Sequence, residues 1–273
     1  MKLIKFSHHG EERYGIDTEE GIRVYPSGFD PWKGQSIQIF NTTPTKPLMT
    51  NDDIEFLPPM RTGGKIVCVG LNYRDHAAEG GHAIPTTPAI FLRLYSSITG
   101  HNRPILKPLE SDCYDYEAEL AIIVGQRTRR AKPENALDAV LGYSCFNDGS
   151  LRDYQRRSAQ WTLGKNFDHS GSLGPSITTA DSLSSGATGL GIRCRLNERV
   201  LQDGDTAETI FSVAEIVAAI SEVMTLEPGD VICTGTPAGV GFARTPPIFM
   251  QPGDICEVEI EGIGILRNTI AAD

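Results

Sequence analysis

The stretch that most constrains the fold is residues 112–125, which read Asp-Cys-Tyr-Asp-Tyr-Glu-Ala-Glu-Leu-Ala-Ile-Ile-Val-Gly. Over residues 116–124 the side chains alternate with a period of two, and both faces become apolar toward the C-terminal end. This pattern predicts a strand that is covered on both sides. Glu117 and Glu119 share one face of that strand. The strand therefore brings two carboxylates into a mostly apolar environment, where burial and mutual repulsion disfavour their charged forms.

Shared protons, basic partners or a bound cation could each compensate for the two carboxylates. A hard divalent cation takes oxygen ligands, so it suits a Glu-x-Glu pair. A half-exposed strand end with solvated glutamates fits the same pattern. Asp148 follows the strand-like residues 143–146 and, as a third carboxylate, would complete a set of hard oxygen ligands. An aspartate before glycine is also common in simple turns.

A polar segment after the short apolar strand at residues 65–70 carries a second candidate group, His76 and Glu79. If residues 75–80 form a helical turn, these two side chains lie at positions i and i+3 and can touch. A carboxylate that orients an imidazole is a common way to make a general base. A polar surface turn is the alternative interpretation.

Three further segments bear on the site. Residues 150–159 predict a polar helix, and a capping box from Ser212 to Glu215 begins an amphipathic helix. Lys165 follows a glycine, where it is either an active-site cation or exposed. Residues 235–241 are rich in glycine but lack the Gly-Lys-Ser/Thr ending of a P-loop, so we expect a tight loop whose N–H groups can meet an anion.

Composition excludes several classes of protein. A net charge of −10, with a single short basic run at residues 127–130, argues against nucleic-acid binding. No stretch is long and apolar enough to cross a membrane or to act as a signal peptide. The six cysteines are scattered without a Cys-x-x-Cys pair, which predicts buried thiols in a reducing cytoplasm. Paired prolines and glycines near residues 58–64 predict a boundary between a small N-terminal domain, 1–62, and a larger domain, 63–273.

Taken together, the motifs resemble those of the fumarylacetoacetate hydrolase family. In chain order they are Val-Gly-Leu-Asn-Tyr-Arg-Asp-His-Ala-Ala-Glu (69–79), Asp-Tyr-Glu-Ala-Glu-Leu (115–120), Gly-Tyr and Asn-Asp (142–148), Arg-Asp-Tyr-Gln (152–155), Gly-Lys (164–165), Thr-Gly-Thr-Pro-Ala-Gly-Val-Gly (234–241) and Glu-Gly-Ile-Gly (261–264). Each motif is weak alone, but their order and spacing are specific to the family.

The resemblance implies an α+β, mostly β fold, with strands rolled into a barrel-like sandwich behind a small N-terminal domain, and a homodimer. It implies that magnesium or manganese, with calcium as a substitute in crystals, is bound by Glu117, Glu119 and Asp148. It also implies catalytic roles for His76, Glu79, Gln155 and Lys165. The predicted substrate-binding residues are Arg74, Arg93, Tyr95, Gly235 and Thr236.

Two departures from the family pattern stand out. Many members have alanine where this chain has Leu151, so the segment after Asp148 is expected to pack differently. Many members carry lysine where this chain has Arg93. Arginine offers a bidentate fork for carboxylates, which favours a diacid substrate.

The resemblance implies first a hydrolase that cleaves a C–C bond in a 2,4-dioxo acid. Water activated by His76 and Glu79 would attack the 4-carbonyl, and the metal would stabilise the departing enolate. The alternative is a decarboxylase or keto–enol isomerase acting on oxaloacetate- or hydroxymuconate-like diacids. A second alternative is a binding protein without catalytic activity, although binding alone needs neither a base nor Lys165.

Overall fold

The computed structural model of the protein describes residues 1–34, 39, 43–44, 47–81 and 83–273. In these residues the chain is mostly β, as predicted. The strands are β1 Lys2–His8, β2 Glu11–Thr18, β3 Gly21–Val24, β4 Pro47–Met49, β5 Glu55–Leu57, β6 Ile66–Gly70, β7 Ala89–Arg93, β8 Ile98–Thr99, β9 Ile105–Lys107, β10 Tyr114–Asp115, β11 Ala118–Val124, β12 Val140–Asn147, β13 Ser150–Leu151, β14 Gly171–Thr179, β15 Gly191–Leu196, β16 Arg199–Asp205, β17 Val231–Cys233, β18 Ile255–Ile260 and β19 Gly264–Ala272. The α-helices are α1 Arg74–Glu79, α2 Arg152–Gln155, α3 Thr162–Lys165 and α4 Val213–Val223.

Two large sheets form the body of the protein. The first has the order β4-β3-β2-β1-β14-β12-β11-β17-β6-β7, with β5 beside β1 and β8 beside β14. The second has the order β16-β15-β18-β19-β9, and β10 pairs with β13 separately. Strand β1 pairs with β14 in antiparallel register, Lys2 opposite Thr178, so the N-terminal strands extend the first sheet. The division into domains at residue 62 stays a prediction.

Strand β11 is covered on both faces, as its sequence predicts. All of its residues are buried. Leu120, Ile122 and Val124 belong to a core that also contains residues of the second sheet. Ala121 and Ile123 belong to a separate core on the other side of the first sheet. A polar side chain on the face of Ala121 and Ile123 is therefore enclosed, unless it lies at a strand end that opens to a cavity.

The strand directions bring several chain segments to one edge of the first sheet. Strands β6 and β17 are parallel, with Cys68 opposite Cys233, so the loops that follow them leave at the same edge. Strand β11 begins at this edge and β12 ends there, because they are antiparallel with Ala118 opposite Asn147. Residues 71–79, 117–119, 148 and 234–241 therefore converge.

The predicted polar helix over residues 150–159 is wrong in extent. Ser150–Leu151 forms β13, paired with β10, and only Arg152–Gln155 forms a helical turn. Leu151 is buried in the core, so a strand pairing takes precedence over the polar helical pattern. The helix that begins at Ser212 is confirmed, with its capping box to Glu215.

None of the helices in the described part of the chain combines the length and apolar character needed to cross a membrane.

Candidate active site

Three buried carboxylates form the centre of the site. Glu117 precedes β11, Glu119 lies in it, and Asp148 follows β12. The backbone N–H of Asp148 donates to the carbonyl of Glu117 at 2.9 Å, which places the two side chains side by side. One oxygen from each carboxylate lies within 4.8 Å of the others. The antiparallel register of β11 and β12 thus brings together residues that are far apart in sequence.

Two basic side chains compensate for part of this charge. Lys165 Nζ lies 2.7 Å from Glu117 Oε2 and 2.5 Å from Asp148 Oδ2. Arg152 Nη2 lies 2.7 Å from the other oxygen of Glu117. The carboxylate of Glu119 accepts a hydrogen bond from the backbone N–H of Gly235 at 3.0 Å. Within the described residues, no basic side chain forms an ion pair with Glu119.

The pKa values follow from these contacts. Burial, with Asp148 and then Glu117 as neighbours, raises the pKa of Glu119 well above its ordinary value. Burial alone would also raise the pKa of Glu117, but Arg152 and Lys165 outweigh it and lower that pKa. Burial disfavours the charged amine of Lys165, yet Asp148 and Glu117 hold its pKa above the ordinary value. Of the three carboxylates, Glu119 is therefore the one whose negative charge is least compensated by the described basic side chains.

This donor set fits a hard divalent cation. Carboxylate oxygens are the ligands that magnesium and manganese prefer, and the three groups are close enough to share one ion. A cation beside Glu119 would also offset the repulsion that raises its pKa. The cation site predicted from Glu117, Glu119 and Asp148 is thus compatible with the geometry.

Arg93 lies behind the carboxylates. Its guanidinium is fully buried, lies 2.6 Å from Asp148 Oδ1, and donates to the carbonyl of Gly149 at 3.2 Å and the hydroxyl of Ser170 at 2.9 Å. Its Nε donates to Ser97 at 3.1 Å. The structure therefore places the Arg93 guanidinium on a carboxylate of the cluster, and the substrate-binding role predicted from sequence stays a prediction.

We expect Arg93→Gln to lower the free energy of unfolding by roughly 3–5 kcal/mol, because it leaves the Asp148 charge buried without this partner. Arg193→Gln is the matched control. That arginine forms an exposed pair with Asp203 at 2.8 Å, and losing such a pair costs about 1 kcal/mol or less. Urea unfolding of both variants measures the difference. Equal losses would show that Arg93 does not stabilise the cluster.

His76 and Glu79 are brought together on α1. His76 Nδ1 lies 3.4 Å from Glu79 Oε2, and the imidazole is buried. The carboxylate of Glu79 also accepts the backbone N–H of Gly239 at 3.0 Å, which ties α1 to the glycine-rich loop. Burial opposes ionisation of Glu79, but the hydrogen bonds from His76 and Gly239 lower its pKa overall. A charged Glu79 can therefore orient the imidazole.

A cavity of about 300 Å³ joins these groups. Its walls include the predicted site residues His76, Glu117, Glu119, Asp148, Gln155, Lys165, Gly235 and Thr236. Gln155 Oε1 accepts from Arg152 Nη1 at 3.0 Å, which leaves its amide nitrogen free to donate. The cavity is large enough for a small organic acid.

Three predicted substrate-binding residues have other contacts. The N–H of Gly235 already donates to Glu119, so this glycine positions a carboxylate although it lines the cavity. Tyr95 packs against the core that includes Phe91, and Lys5 lies 5.8 Å from its ring centroid. The exposed Arg74 donates to the carbonyl of Thr209 at 3.4 Å.

Sequence reasoning missed two supporting residues. Buried Asp115 accepts from Arg152 Nε at 2.8 Å and from the N–H groups of Gly241 at 2.7 Å and Phe242 at 3.0 Å. It lies within the Asp-Tyr-Glu-Ala-Glu motif, so its position two residues before Glu117 was the available signal.

The second missed residue is Gln202, in the hairpin strand β16. Its amide nitrogen donates to Thr236 Oγ1 at 2.8 Å, and its carbonyl accepts the N–H of Ala118 at 2.9 Å. Because the oxygen of Thr236 is already an acceptor, its O–H is left to donate. Nothing in the local sequence of β16 indicates this contact.

The sequence matches the family profile described as fumarylacetoacetate (FAA) hydrolase C-terminal over residues 65–271. The mitochondrial oxaloacetate tautomerase fahd2 of Xenopus laevis is 41% identical over 288 residues, covering 99% of this chain and 90% of that protein.

Solved structures with the same fold carry more than one activity in their names. A 5-carboxymethyl-2-hydroxymuconate delta-isomerase from Mycobacterium smegmatis superimposes with a TM-score of 0.83 at 32% identity and covers 100% of both chains. A fumarylacetoacetate hydrolase from Exiguobacterium antarcticum gives 0.83 at 33% identity, again over 100% of both chains. The fold alone therefore leaves open which reaction this chain catalyses.

Proposed function

We infer that this chain, which belongs to the fumarylacetoacetate hydrolase family, is a metal-dependent enzyme that interconverts the keto and enol forms of a short 2-oxo acid. The observation that carries this proposal is that one cavity holds both the His76 imidazole and the carboxylate cluster with Lys165. A proton acceptor and a site that stabilises developing negative charge are the two requirements of enolisation.

The relatives support this choice over the hydrolase predicted first. The Xenopus laevis relative is named an oxaloacetate tautomerase, and the Mycobacterium smegmatis structure is named an isomerase of a hydroxymuconate. Both names describe movement of a proton and a double bond without loss of a fragment. We therefore propose the alternative as the main function, with oxaloacetate-like or hydroxymuconate-like acids as substrates.

Glu117, Glu119 and Asp148 would hold the cation. When bound, a divalent cation supplies Lewis-acid stabilisation of the negative charge that develops on the 2-oxo oxygen. Lys165 Nζ has three donors and uses two of them on Glu117 and Asp148. The third donor can face the same developing charge, since Lys165 lines the cavity.

His76 would take the proton from C3 of the keto acid and return it in the reverse direction. Its Nδ1 is paired with Glu79, so Nε2 is the nitrogen that is left for the substrate. The charged Glu79 would stabilise the imidazolium that forms. The hydroxyl of Thr236, oriented by Gln202, would donate to the substrate carboxylate. Gln155 would donate its free amide N–H to the reacting group.

C–C hydrolysis is the second candidate, because the same imidazole could deprotonate water. The Exiguobacterium antarcticum structure, named a hydrolase, has the same fold. Hydrolysis would additionally require room in the cavity for a water molecule at the 4-carbonyl of a 2,4-dioxo acid.

The test uses purified protein loaded with magnesium or manganese. The enol form of oxaloacetate is added, loss of its ultraviolet absorbance is timed, and mass spectrometry identifies the products. We expect faster loss of the enol than in chelator-treated protein, with the mass of oxaloacetate retained. Release of carbon dioxide would assign a decarboxylase instead. Cleavage of an acylpyruvate without acceleration of the enol conversion would assign the hydrolase.

Two other features implied by the resemblance are part of the proposal. We propose a homodimer, which the mass of the protein in solution would test. We also propose a cytoplasmic location, although the Xenopus laevis relative is named mitochondrial.

A further inference from the structure

We propose that Arg156 binds the distal carboxylate of the substrate and so makes the enzyme selective for 2-oxo diacids. This inference rests on the proposed function, because it takes the substrate to enter the cavity as a 2-oxo acid. The position of Arg156 and the charges around it carry the argument.

Arg156 lies at the exposed side of the cavity. It follows α2 directly and lines the same space as Glu117 and His76. Its guanidinium carbon lies 4.6 Å from the centroid of the Phe242 ring, a distance typical of a cation–π contact. The backbone N–H of Phe242 donates to buried Asp115 at 3.0 Å, so the surface beneath Arg156 is fixed. Contact with the fixed Phe242 ring therefore holds the exposed guanidinium beside the cavity, and among the described residues no ion pair uses its N–H groups.

Arg152 and Lys165, which also line the cavity, already form ion pairs with carboxylates of the protein. Arg152, whose guanidinium carbon lies 4.5 Å from the same ring centroid, is paired with Asp115 and Glu117. Lys165 is paired with two carboxylates of the cluster. In the described portion of the chain, Arg156 has no carboxylate within ion-pair distance. It is thus a cation at the cavity that lacks a protein counter-charge.

The charges around the cavity indicate what the Arg156 guanidinium could bind. Around the cavity the buried carboxylates are Asp115, Glu117, Glu119 and Asp148, and the buried basic groups are Arg93, Arg152 and Lys165. With these groups charged, one negative charge is in excess, and the charged Glu79 beside His76 adds a second. A bound divalent cation would offset these two charges, and it would also attract the carboxylate next to the 2-oxo group. A second carboxylate would then need its own cation, which Arg156 can supply through a bidentate pair.

Arg156 therefore takes the role that the sequence suggested for Arg93. The fork of Arg93 is committed to Asp148, Gly149, Ser97 and Ser170. Arg156 presents the same chemical group at the open side of the cavity. A diacid would place one carboxylate near Thr236 and the metal ligands, and the other at the mouth.

The experiment measures binding, so that it does not depend on turnover. Oxalylglycine, a 2-oxo diacid analogue that cannot enolise toward its distal carboxylate, and its methyl ester at that carboxylate are titrated by calorimetry into metal-loaded protein. The variants are Arg156→Gln and, as matched control, Arg157→Gln. Arg157 is the neighbouring exposed arginine, which packs on Tyr154 with 3.4 Å between its guanidinium carbon and the ring centroid.

We expect Arg156→Gln to weaken binding of the diacid by about tenfold and binding of the ester by less than about twofold. The loss for the diacid should shrink as salt is raised, because the pair is at the surface. Arg157→Gln should bind both compounds as the wild type does. Equal binding of diacid and ester by the wild type, or equal weakening of both in Arg156→Gln, would overturn the proposal.

The failure of this inference can be told apart from the failure of the proposed function. If the wild type does not accelerate the enol conversion of oxaloacetate but binds the diacid through Arg156, the reaction is wrong and the binding role stands. If it accelerates the conversion and Arg156→Gln binds both compounds as the wild type does, the reaction stands and the role of Arg156 is wrong.

Discussion

Replacing Glu119 by glutamine is expected to abolish turnover while leaving the metal-free fold as stable as the wild type or more stable. The loss of turnover should be roughly a hundredfold or more, because Lewis-acid stabilisation contributes several kcal/mol to such reactions. The fold should tolerate the change because burial and two neighbouring carboxylates raise the pKa of Glu119. Glutamine resembles the protonated side chain and can still accept the N–H of Gly235.

Glu117→Gln should abolish turnover equally but destabilise the fold. Glu117 is the shared partner of Arg152 and Lys165, both buried. Removing its charge leaves these two cations with less compensation, and breaking a buried pair typically costs about 3–5 kcal/mol. The two variants therefore make the same substitution at positions two residues apart, and we expect different effects on the free energy of unfolding.

The pH dependence gives a second measurement on Glu119. The folded-state pKa is raised above the ordinary value of 4.5, so the metal-free folded protein holds a proton that the unfolded chain releases. The wild type should then lose stability relative to Glu119→Gln as pH rises from the unfolded pKa through the raised folded pKa. Urea unfolding of chelator-treated protein at about pH 5 and about pH 8 measures this difference.

Two results would contradict the assignment of Glu119 as a metal ligand. One is full turnover of the wild type after exhaustive chelation. The other is full turnover of Glu119→Gln with magnesium bound as tightly as in the wild type, measured by calorimetry. Glu110→Gln, at an exposed loop position, serves as a control for the loss of one surface carboxylate.

The fold was predictable where local pattern and burial agree. The alternation in β11 and the capping box at Ser212 each predict the element that forms. The segment after Asp148 was not predictable in the same way, because the polar helical pattern of residues 150–159 competes with the pairing of Leu151 to Tyr114. That pairing depends on a partner strand some 37 residues away in sequence, the separation of these two residues.

The candidate site shows the same limit. Its carboxylates, His76 and Lys165 could be proposed from sequence because the chemistry of each is visible in a short motif, and the structure brings them around one cavity. The roles of Arg93 and Gln202 depend on which side of a strand faces the cavity and on contacts made across the sheets. Neither contact is encoded in local spacing, so the sequence indicated neither the pairing of Arg93 with Asp148 nor the contact of Gln202 with Thr236.

Replacing His76 by asparagine is expected to slow the keto–enol interconversion by roughly a hundredfold or more, the usual effect of removing a positioned general base. Asparagine keeps a polar side chain but cannot accept and return the C3 proton at neutral pH. Any decarboxylation of oxaloacetate should fall less, because it mainly needs stabilisation of the enolate, and the cluster of Glu117, Glu119 and Asp148 is intact in this variant. The ratio of the two rates, measured on one sample, is the readout.

His9→Asn is the matched control. His9 is exposed in the turn between β1 and β2 and has a φ of 51°, a conformation that asparagine tolerates well. Both rates should stay at the wild-type level in this variant. Loss of both activities in equal proportion in His76→Asn would point to a collapsed cavity, and retention of the interconversion within about threefold of wild type would exclude His76 as the base. The imidazole is hydrogen-bonded to Glu79, and Glu79 to the loop at Gly239, so the substitution could also disturb the shape of the cavity. Metal affinity of His76→Asn equal to that of the wild type would show that the cavity is intact and that the lost rate is due to the missing base.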